Sequence, residues 1–181
     1  MTRKLEIGPR RAGPIDDTWE CMDIQKRHFF KLTDWIHDLQ KPPCPIEDDT
    51  YDLIYMSHVL EHVDWRLTAP VLLDIYRIIK PGGVLEVWVP SLDVILNDYI
   101  YQATSKPDWG WHDNPEKSIC KWFSSRVFGW GRKGKDFHKA AFDRAYLTEC
   151  LTAAGFVDVD PLDKPRNTRR GRGNLGMKGV K

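Results

Sequence analysis

The sequence has no long hydrophobic run, no paired cysteine motif and almost no net charge. No apolar stretch in its 181 residues approaches the roughly 18 residues that a membrane-spanning helix needs. The N-terminus reads Met-Thr-Arg-Lys and continues into a charged strand, which does not resemble a signal peptide. We therefore expect a cytoplasmic protein that makes no use of a membrane.

The cysteines exclude further classes of protein. Cys21, Cys44, Cys120 and Cys150 are far apart and form no Cys-x-x-Cys pair, so a zinc ribbon or dithiol redox motif is not expected. Unpaired cysteines are typical of a reducing compartment. The net charge of +1 gives no overall attraction to nucleic acid, so any such binding must come from a local patch.

The sequence does contain strands that alternate with helices, within one domain covering residues 1–181. Helical spacing predicts helices over residues 69–80, before Pro81-Gly82-Gly83, and over residues 144–154. Phe29–Ile36 fits either a short helix or a strand, and residues 102–137 read as irregular. This alternation predicts a mostly parallel sheet covered by helices. Strands are predicted at Lys4–Ile7, Trp19–Asp23, Tyr51–Met56, Val84–Val89 and Phe156–Val159.

An arginine-rich stretch near the C-terminus has two interpretations. Residues 164–173 contain Arg166, Arg169, Arg170 and Arg172, and alone they resemble a tail that binds RNA or phosphate. The apolar residues of 175–180 can instead form a final strand, with the basic stretch as the loop of a hairpin. We favour the antiparallel hairpin because it gives those apolar residues a place to be buried.

The segment that follows the apolar run Tyr51–Met56 carries the most chemistry. Ser57 is a good helix cap, and we expect a helix to begin there. His58, Glu61 and His62 are then spaced i, i+3 and i+4, which places them on one helix face. Ligands bind at the carboxyl edge of open α/β sheets, so the sequence predicts an active site here.

Taken in order, several segments resemble the motifs of small class I S-adenosylmethionine-dependent methyltransferases. They are Leu-Glu-Ile-Gly8, Asp23, Asp38-Leu39, Ser57-His-Val-Leu-Glu-His62, Lys80-Pro-Gly-Gly83 and the late stretch from His138 to Phe156. The resemblance implies a Rossmann-like, mostly parallel sheet with a C-terminal antiparallel hairpin and helices on both faces. It also implies S-adenosylmethionine as cofactor and transfer of its methyl group to a small-molecule acceptor.

The resemblance further implies which residues contact the cofactor. Its methionine part is expected at the first strand, its ribose at the second, its adenine at the third, and its length along the segment after the fourth. Arg10 and Arg11 stand where the family has glycines, so the loop must take another path or hold the cofactor carboxylate with a guanidinium. The expected cofactor-binding residues are Glu6, Gly8, Pro9, Asp23, Ile24, Asp38, Leu39, Ser57, His58 and Val59.

Three roles remain open for the histidines, of which His58, His62 and His138 are the candidate catalytic residues. They can line the cofactor, act as a general base on the acceptor, or bind a divalent metal together with Glu61. Some related ubiquinone-pathway O-methyltransferases use Glu-x-x-Glu-His at this place for metal, and His58 stands at the position of the first Glu. Methyl transfer needs mainly in-line positioning, and our expectation includes no metal.

The segment of residues 102–137 is rich in aromatic and basic residues. The resemblance implies that this segment covers the acceptor, where its aromatic rings would stack on a planar group of the acceptor. The alternative is that the segment caps the sheet or forms a dimer contact. Two other functions compete with methyl transfer. In the first alternative, the chain is a non-catalytic cofactor-binding protein of the same fold. In the second, it is an RNA-binding or RNA-modifying protein that uses Arg169, Arg170 and Arg172.

Overall fold

The structure is a computed structural model that describes residues 2–9, 14–24, 33–101, 118–129, 131, 137–166 and 173–181. Within these ranges the strands are β1 (Lys4–Ile7), β2 (Trp19–Asp23), β3 (Trp35–Ile36), β4 (Tyr51–Ser57), β5 (Ile79–Pro90), β6 (Val157–Pro161) and β7 (Asn174–Val180). The helices are α1 (Thr68–Ile78), α2 (Leu92–Ile100), α3 (Ile119–Val127) and α4 (Arg144–Ala153), with short 3-10 turns at Leu60–His62 and Trp65–Leu67.

The described strands form one seven-stranded sheet in the order β3-β2-β1-β4-β5-β7-β6. The pairs from β3 to β5 are parallel, whereas β7 pairs antiparallel with both β5 and β6. The expected Rossmann-like sheet with a C-terminal hairpin is therefore confirmed. The chain moves outward from β1 to β3 and then returns to place β4 on the other side of β1.

Alternation along the strands divides the apolar residues between the two faces of the sheet. Leu5, Ile54 and Leu85 belong to the main core, which also contains buried residues of α1 and α4. The opposite face carries a smaller cluster of Trp19, Tyr55 and Trp88, against which Ile15 and Leu162 of connecting segments pack. No helix among the described residues is long and apolar enough to cross a membrane.

The helix expected from Ser57 is wrong. Ser57 is still part of β4, and only Leu60–His62 forms a 3-10 turn. The His58 amide donates to the carbonyl of Trp88 at 2.8 Å, and His58 has a φ of 57°. This strand-type hydrogen bond ties the backbone to β5, so the chain turns sharply before it becomes helical. The α-helix begins only at Thr68.

Two other boundaries differ from the expectation because of tertiary pairing. β5 begins at Ile79 rather than at residue 84, because Ile79 already pairs with Tyr51 of β4. The Gly82 amide also donates to the carbonyl of Lys181 at 2.8 Å. Residues 102–137 are not wholly irregular, because α3 lies within them. Residues 102–117 and most of 130–136 lie outside the described part of the chain.

The structure also decides between the two interpretations of the arginine-rich stretch. β6 and β7 form the expected hairpin. Arg166 in the connection forms two hydrogen bonds to the Glu86 carboxylate, at 2.6 Å and 2.5 Å, and its guanidinium lies 5.9 Å from the centre of the Trp19 ring. Arg166 therefore fastens the connection to the sheet. Arg169, Arg170 and Arg172 lie outside the described residues.

Candidate active site at the carboxyl edge of the sheet

Most of the residues expected to bind the cofactor lie at the ends of the four strands β1 to β4. Because these strands are parallel and in register, their carboxyl ends meet at one edge; Ile7 pairs with both Met22 and Met56. The strand order changes direction between β1 and β4. In open α/β sheets a ligand binds at such a switch point, and here Gly8 and His58 lie on its two sides.

Gly8 brings the two sides of the switch point into close contact. Its φ is +69°, and a Cβ built on it would lie only 2.4 Å from Cγ2 of Val59. Its amide donates to the carbonyl of Met22 at 2.8 Å. Only glycine fits this combination of left-handed backbone and close approach. Pro9, the next residue, is buried.

The ends of β2 and β3 contribute an acidic residue each. Asp23 ends β2 and is 8 % exposed, and its carbonyl accepts from the His37 amide at 3.1 Å. The neighbouring Ile24 is 58 % exposed. Asp38 builds a turn, because its Oδ1 accepts from the Gln40 amide at 3.1 Å. One carboxylate oxygen of Asp38 therefore has a structural role, and Leu39 beside it packs against the main core.

Glu6 also has a structural partner. Its side chain is almost fully buried, and its Oε2 accepts from the Ile15 amide at 2.8 Å. The side chain of Glu6 points to the face of the sheet opposite that of Leu5 and Ile7, as strand alternation requires. Glu6 thus fastens the segment before β2 to β1, and its expected contact with the cofactor stays a prediction.

His58 and Glu61 form a buried hydrogen-bonded pair. Nδ1 of His58 lies 2.9 Å from Oε1 of Glu61, and the two side chains are 17 % and 1 % exposed. Nε2 of His58 is buried and has no hydrogen-bond partner among the described residues. The pair needs no helix: the turn after β4 brings the two side chains together.

His62 and His138 are in contact although they lie in distant parts of the sequence. Nδ1 of His62 is 3.0 Å from the carbonyl of Phe137, and Nδ1 of His138 is 3.0 Å from the carbonyl of Arg126. The two rings lie edge to face with centroids 5.0 Å apart. His138 is thus neither a helix cap nor a surface residue; it joins the cluster that follows β4.

Backbone hydrogen bonds hold this meeting in place. The carbonyl of Glu61 accepts from the Lys139 amide at 2.7 Å and from the Ala140 amide at 3.2 Å. The segment before α4 is therefore tied directly to the 3-10 turn. His138 also lines a cavity with Pro90, Leu92, Ile95 and Ala141.

The electrostatics of the cluster favour an ionised Glu61 and a neutral His138. Burial disfavours the charged form of Glu61, but the hydrogen bond from His58 and the charges of His58 and His62 outweigh it and hold the pKa of Glu61 below its usual 4.5. Burial lowers the pKa of His138 from its usual 6.5, and the nearby Glu61 carboxylate only partly opposes this.

Sequence reasoning included Glu61 in the group but did not select it as a catalytic residue. The structure places Glu61 at the centre, since its side chain meets His58 and its carbonyl holds the segment containing His138. The i, i+3 spacing from His58 was the available signal. The carbonyls of Arg126 and Phe137, which orient two of the rings, left no signal because every residue has a carbonyl.

Comparisons with known proteins agree with this architecture. The sequence profile of a family described as "Methyltransferase domain" matches residues 11–160. A search of curated proteins gave no match. A solved S-adenosylmethionine-dependent methyltransferase from Archaeoglobus fulgidus is similar with a TM-score of 0.61 and 17% identity, over 99% of this chain and 86% of that one.

Two further solved structures share the fold. A Thermotoga maritima protein, a "possible histamine N-methyltransferase", aligns with a TM-score of 0.58 and 20% identity, over 100% of this chain and 83% of that one. The methyltransferase CalH, solved with S-adenosylhomocysteine, aligns with a TM-score of 0.58 and 18% identity over 99% of this chain and 51% of that one. The family match spans most of the sequence, and the chain therefore belongs to the methyltransferase-domain family of class I, S-adenosylmethionine-dependent methyltransferases.

Proposed function

We propose that the protein transfers a methyl group from S-adenosylmethionine to a small-molecule acceptor whose reacting oxygen or nitrogen carries a proton. The observation that carries this proposal is the His58–Glu61 pair at the switch point of the sheet. It joins a site suited to the family's cofactor with a histidine prepared to accept a proton.

The strand ends fit the cofactor. Gly8 lets the backbone after β1 approach closely, because a side chain there would occupy the space next to Val59. Asp23 supplies a carboxylate at the end of β2, where two vicinal ribose hydroxyls find a bidentate acceptor. Ser57, His58 and Val59 line the other side. Bound S-adenosylmethionine supplies a methyl group that its sulfonium already activates.

The hydrogen bond to Glu61 prepares His58 for its role. Because the carboxylate of Glu61 is ionised, Nδ1 of His58 donates the proton in the bond, and in the neutral imidazole the lone pair is then on Nε2. A positioned imidazole of this tautomer can take a proton from an acceptor hydroxyl or amine. The Glu61 carboxylate then stabilises the imidazolium, as an orienting carboxylate does in other histidine bases. Positioning of the acceptor supplies the rest of the rate enhancement.

The first experiment measures cofactor binding and turnover. Calorimetry should show one S-adenosylhomocysteine bound per chain, and a panel of phenols and amines should contain acceptors that yield S-adenosylhomocysteine from S-adenosylmethionine. A folded protein that binds neither compound would refute the proposal. A protein that binds both but turns over with no acceptor in the panel would support the non-catalytic alternative.

The second experiment tests the proton-accepting role of His58. With an acceptor in hand, His58→Ala should lower kcat by about 100-fold or more, the range typical of a lost general base. Its affinity for S-adenosylhomocysteine should change much less than kcat does. His37→Ala, outside the cluster, serves as the control for removal of a histidine. An equal kcat for wild type and His58→Ala would leave His58 with a lining role only.

A further inference from the structure

Glu61, His62 and His138 bring three metal-ligating groups together from two distant parts of the chain. Each offers one ligand atom, and these atoms all lie within 4.8 Å of one another. Ligands at 2.0–2.1 Å around a tetrahedral metal are about 3.3 Å apart. Small side-chain rotations close that difference, since His62 and His138 are only half-buried.

Both histidines are held in the tautomer that metals require. Their Nδ1 atoms face the backbone carbonyls of Phe137 and Arg126, each at 3.0 Å. A carbonyl only accepts hydrogen bonds, so each Nδ1 carries a proton, and in the neutral imidazole each Nε2 then carries the lone pair. Metal-binding histidines show this arrangement regularly, with the second nitrogen donating to a carbonyl or carboxylate.

Glu61 supplies the anionic ligand. Its Oε1 is held by His58 at 2.9 Å, whereas its Oε2 is buried and has no hydrogen-bond partner among the described residues. A buried carboxylate oxygen without a hydrogen-bond partner costs free energy. A cation bound between Glu61 and the two Nε2 atoms removes that cost. His58 then holds Oε1, the carboxylate oxygen of Glu61 that does not bind the metal, by a hydrogen bond, as residues behind a metal ligand do.

We propose that Glu61, His62 and His138 form a binding site for one divalent metal of the zinc type, with the fourth coordination position open. Two imidazoles and one carboxylate are typical of zinc, whereas magnesium and calcium prefer oxygen ligands throughout. The set excludes His58 as a direct ligand and includes the distant His138, which no local motif reveals. His138, one of the three ligands, also lines the cavity beside Pro90 and Leu92.

The metal's use in catalysis rests on the proposed function, but metal binding itself does not. A metal held there would lower the pKa of an acceptor hydroxyl bound at the open position.

The test is a titration of metal-free protein with Zn²⁺ by calorimetry and with Co²⁺ by visible absorption, without cofactor or acceptor. Wild type should bind one equivalent of either ion, and Co²⁺ should give the intense ligand-field bands of a low-symmetry, four-coordinate site. His62→Ala and His138→Ala each lose a direct ligand, so both should lose affinity by more than about 100-fold. His58→Ala removes only the residue behind Glu61 and should lose about 10–100-fold.

His37→Ala is the matched control, because it removes a histidine from outside the cluster and should bind as wild type does. Circular dichroism and thermal unfolding of each variant test whether it is folded. Glu61→Gln removes the anionic ligand but keeps the shape of the buried side chain. No binding by wild type overturns the proposal. Binding that is equal in wild type, His62→Ala and His138→Ala overturns it too, because the metal would then bind elsewhere. Since no cofactor is present, neither result bears on methyl transfer.

Discussion

Gly8 has no side chain, and this allows the backbone after β1 to lie close to Val59 at the switch point of the sheet. Two separate demands meet there: the backbone has a left-handed φ, and Val59 occupies the space that a Cβ would need. Gly82 also has a left-handed φ, of +77°, but no atom of the described residues lies within 4 Å of its Cβ position. The chain therefore contains a natural control that separates the two demands.

Gly8→Ala should destabilise the protein more than Gly82→Ala does. Both pay the conformational cost of a left-handed alanine, about 1–2 kcal/mol, but only Gly8→Ala also displaces a neighbour, which adds about 1–3 kcal/mol. Urea unfolding measures the two free energies. S-adenosylhomocysteine affinity should fall for Gly8→Ala alone. Equal losses of stability and unchanged affinity in both variants would show that the contact with Val59 is unimportant.

At the scale of elements, one carboxylate holds together the amino ends of the strands, at the end of the sheet opposite the site. Glu20 on β2 accepts from Nε of Arg3 at 2.6 Å, from the Tyr51 hydroxyl at 2.7 Å and from Nε1 of Trp35 at 3.2 Å. These partners lie beside or on β1, β4 and β3. The same side chain therefore aligns the starts of four strands, at the end of the sheet away from the candidate site.

The pH dependence of stability tests this cluster. The hydrogen bond from Arg3, only partly opposed by burial, holds the pKa of Glu20 below its usual 4.5. Its contribution is therefore full above pH 4.5 and is lost as the pH falls through the lower folded-state pKa. Glu20→Gln should lose about 1 kcal/mol at pH 7, a modest value because Glu20 is partly exposed.

The free energy of unfolding of wild type and Glu20→Gln, measured from pH 7 to pH 2, should converge toward the acid end. Glu47→Gln, at an exposed position, should follow wild type at all pH values. A constant gap between wild type and Glu20→Gln down to pH 2 would mean that the ionised form of Glu20 contributes nothing.

At the scale of the whole molecule, the cofactor should stabilise the fold, because the residues that we propose to bind it come from the ends of four strands. A ligand that binds only the folded state at 100 times its Kd adds about 2.7 kcal/mol to the free energy of unfolding. Saturating S-adenosylhomocysteine should therefore raise the unfolding temperature by several degrees, as measured by differential scanning fluorimetry.

Asp23→Ala should reduce that stabilisation, because loss of a charged hydrogen-bonding group weakens binding by about 1.5–3 kcal/mol. Asp17→Ala removes an exposed carboxylate just before β2 and should keep the full rise. If Asp23→Ala kept it as well, Asp23 would not hold the ribose. Comparison without ligand separates the effect of each change on the fold from its effect on binding.

The sequence alone determined where most of the strands and two of the helices lie, and the order of its motifs predicted the family fold. The segments predicted as strands fall on β1, β2, β4, β5 and β6, and helical spacing located α1 and α4. The final hairpin also followed from local residues, since the apolar positions of 175–180 needed burial. These signals are local: each depends on residues close in the chain, and each was readable without knowing what packs against it.

The tertiary structure alone decided how the candidate active site is assembled. His58 turns away from the helix that local spacing favoured because a carbonyl of β5 binds its amide. His138 joins His62 and Glu61 because backbone hydrogen bonds hold two distant segments together. Tautomers set by carbonyls and a carboxylate oxygen buried without a hydrogen-bond partner in the described chain have no counterpart in residue types. Long-range contacts between backbone groups produce these features, and such contacts leave no pattern in the sequence.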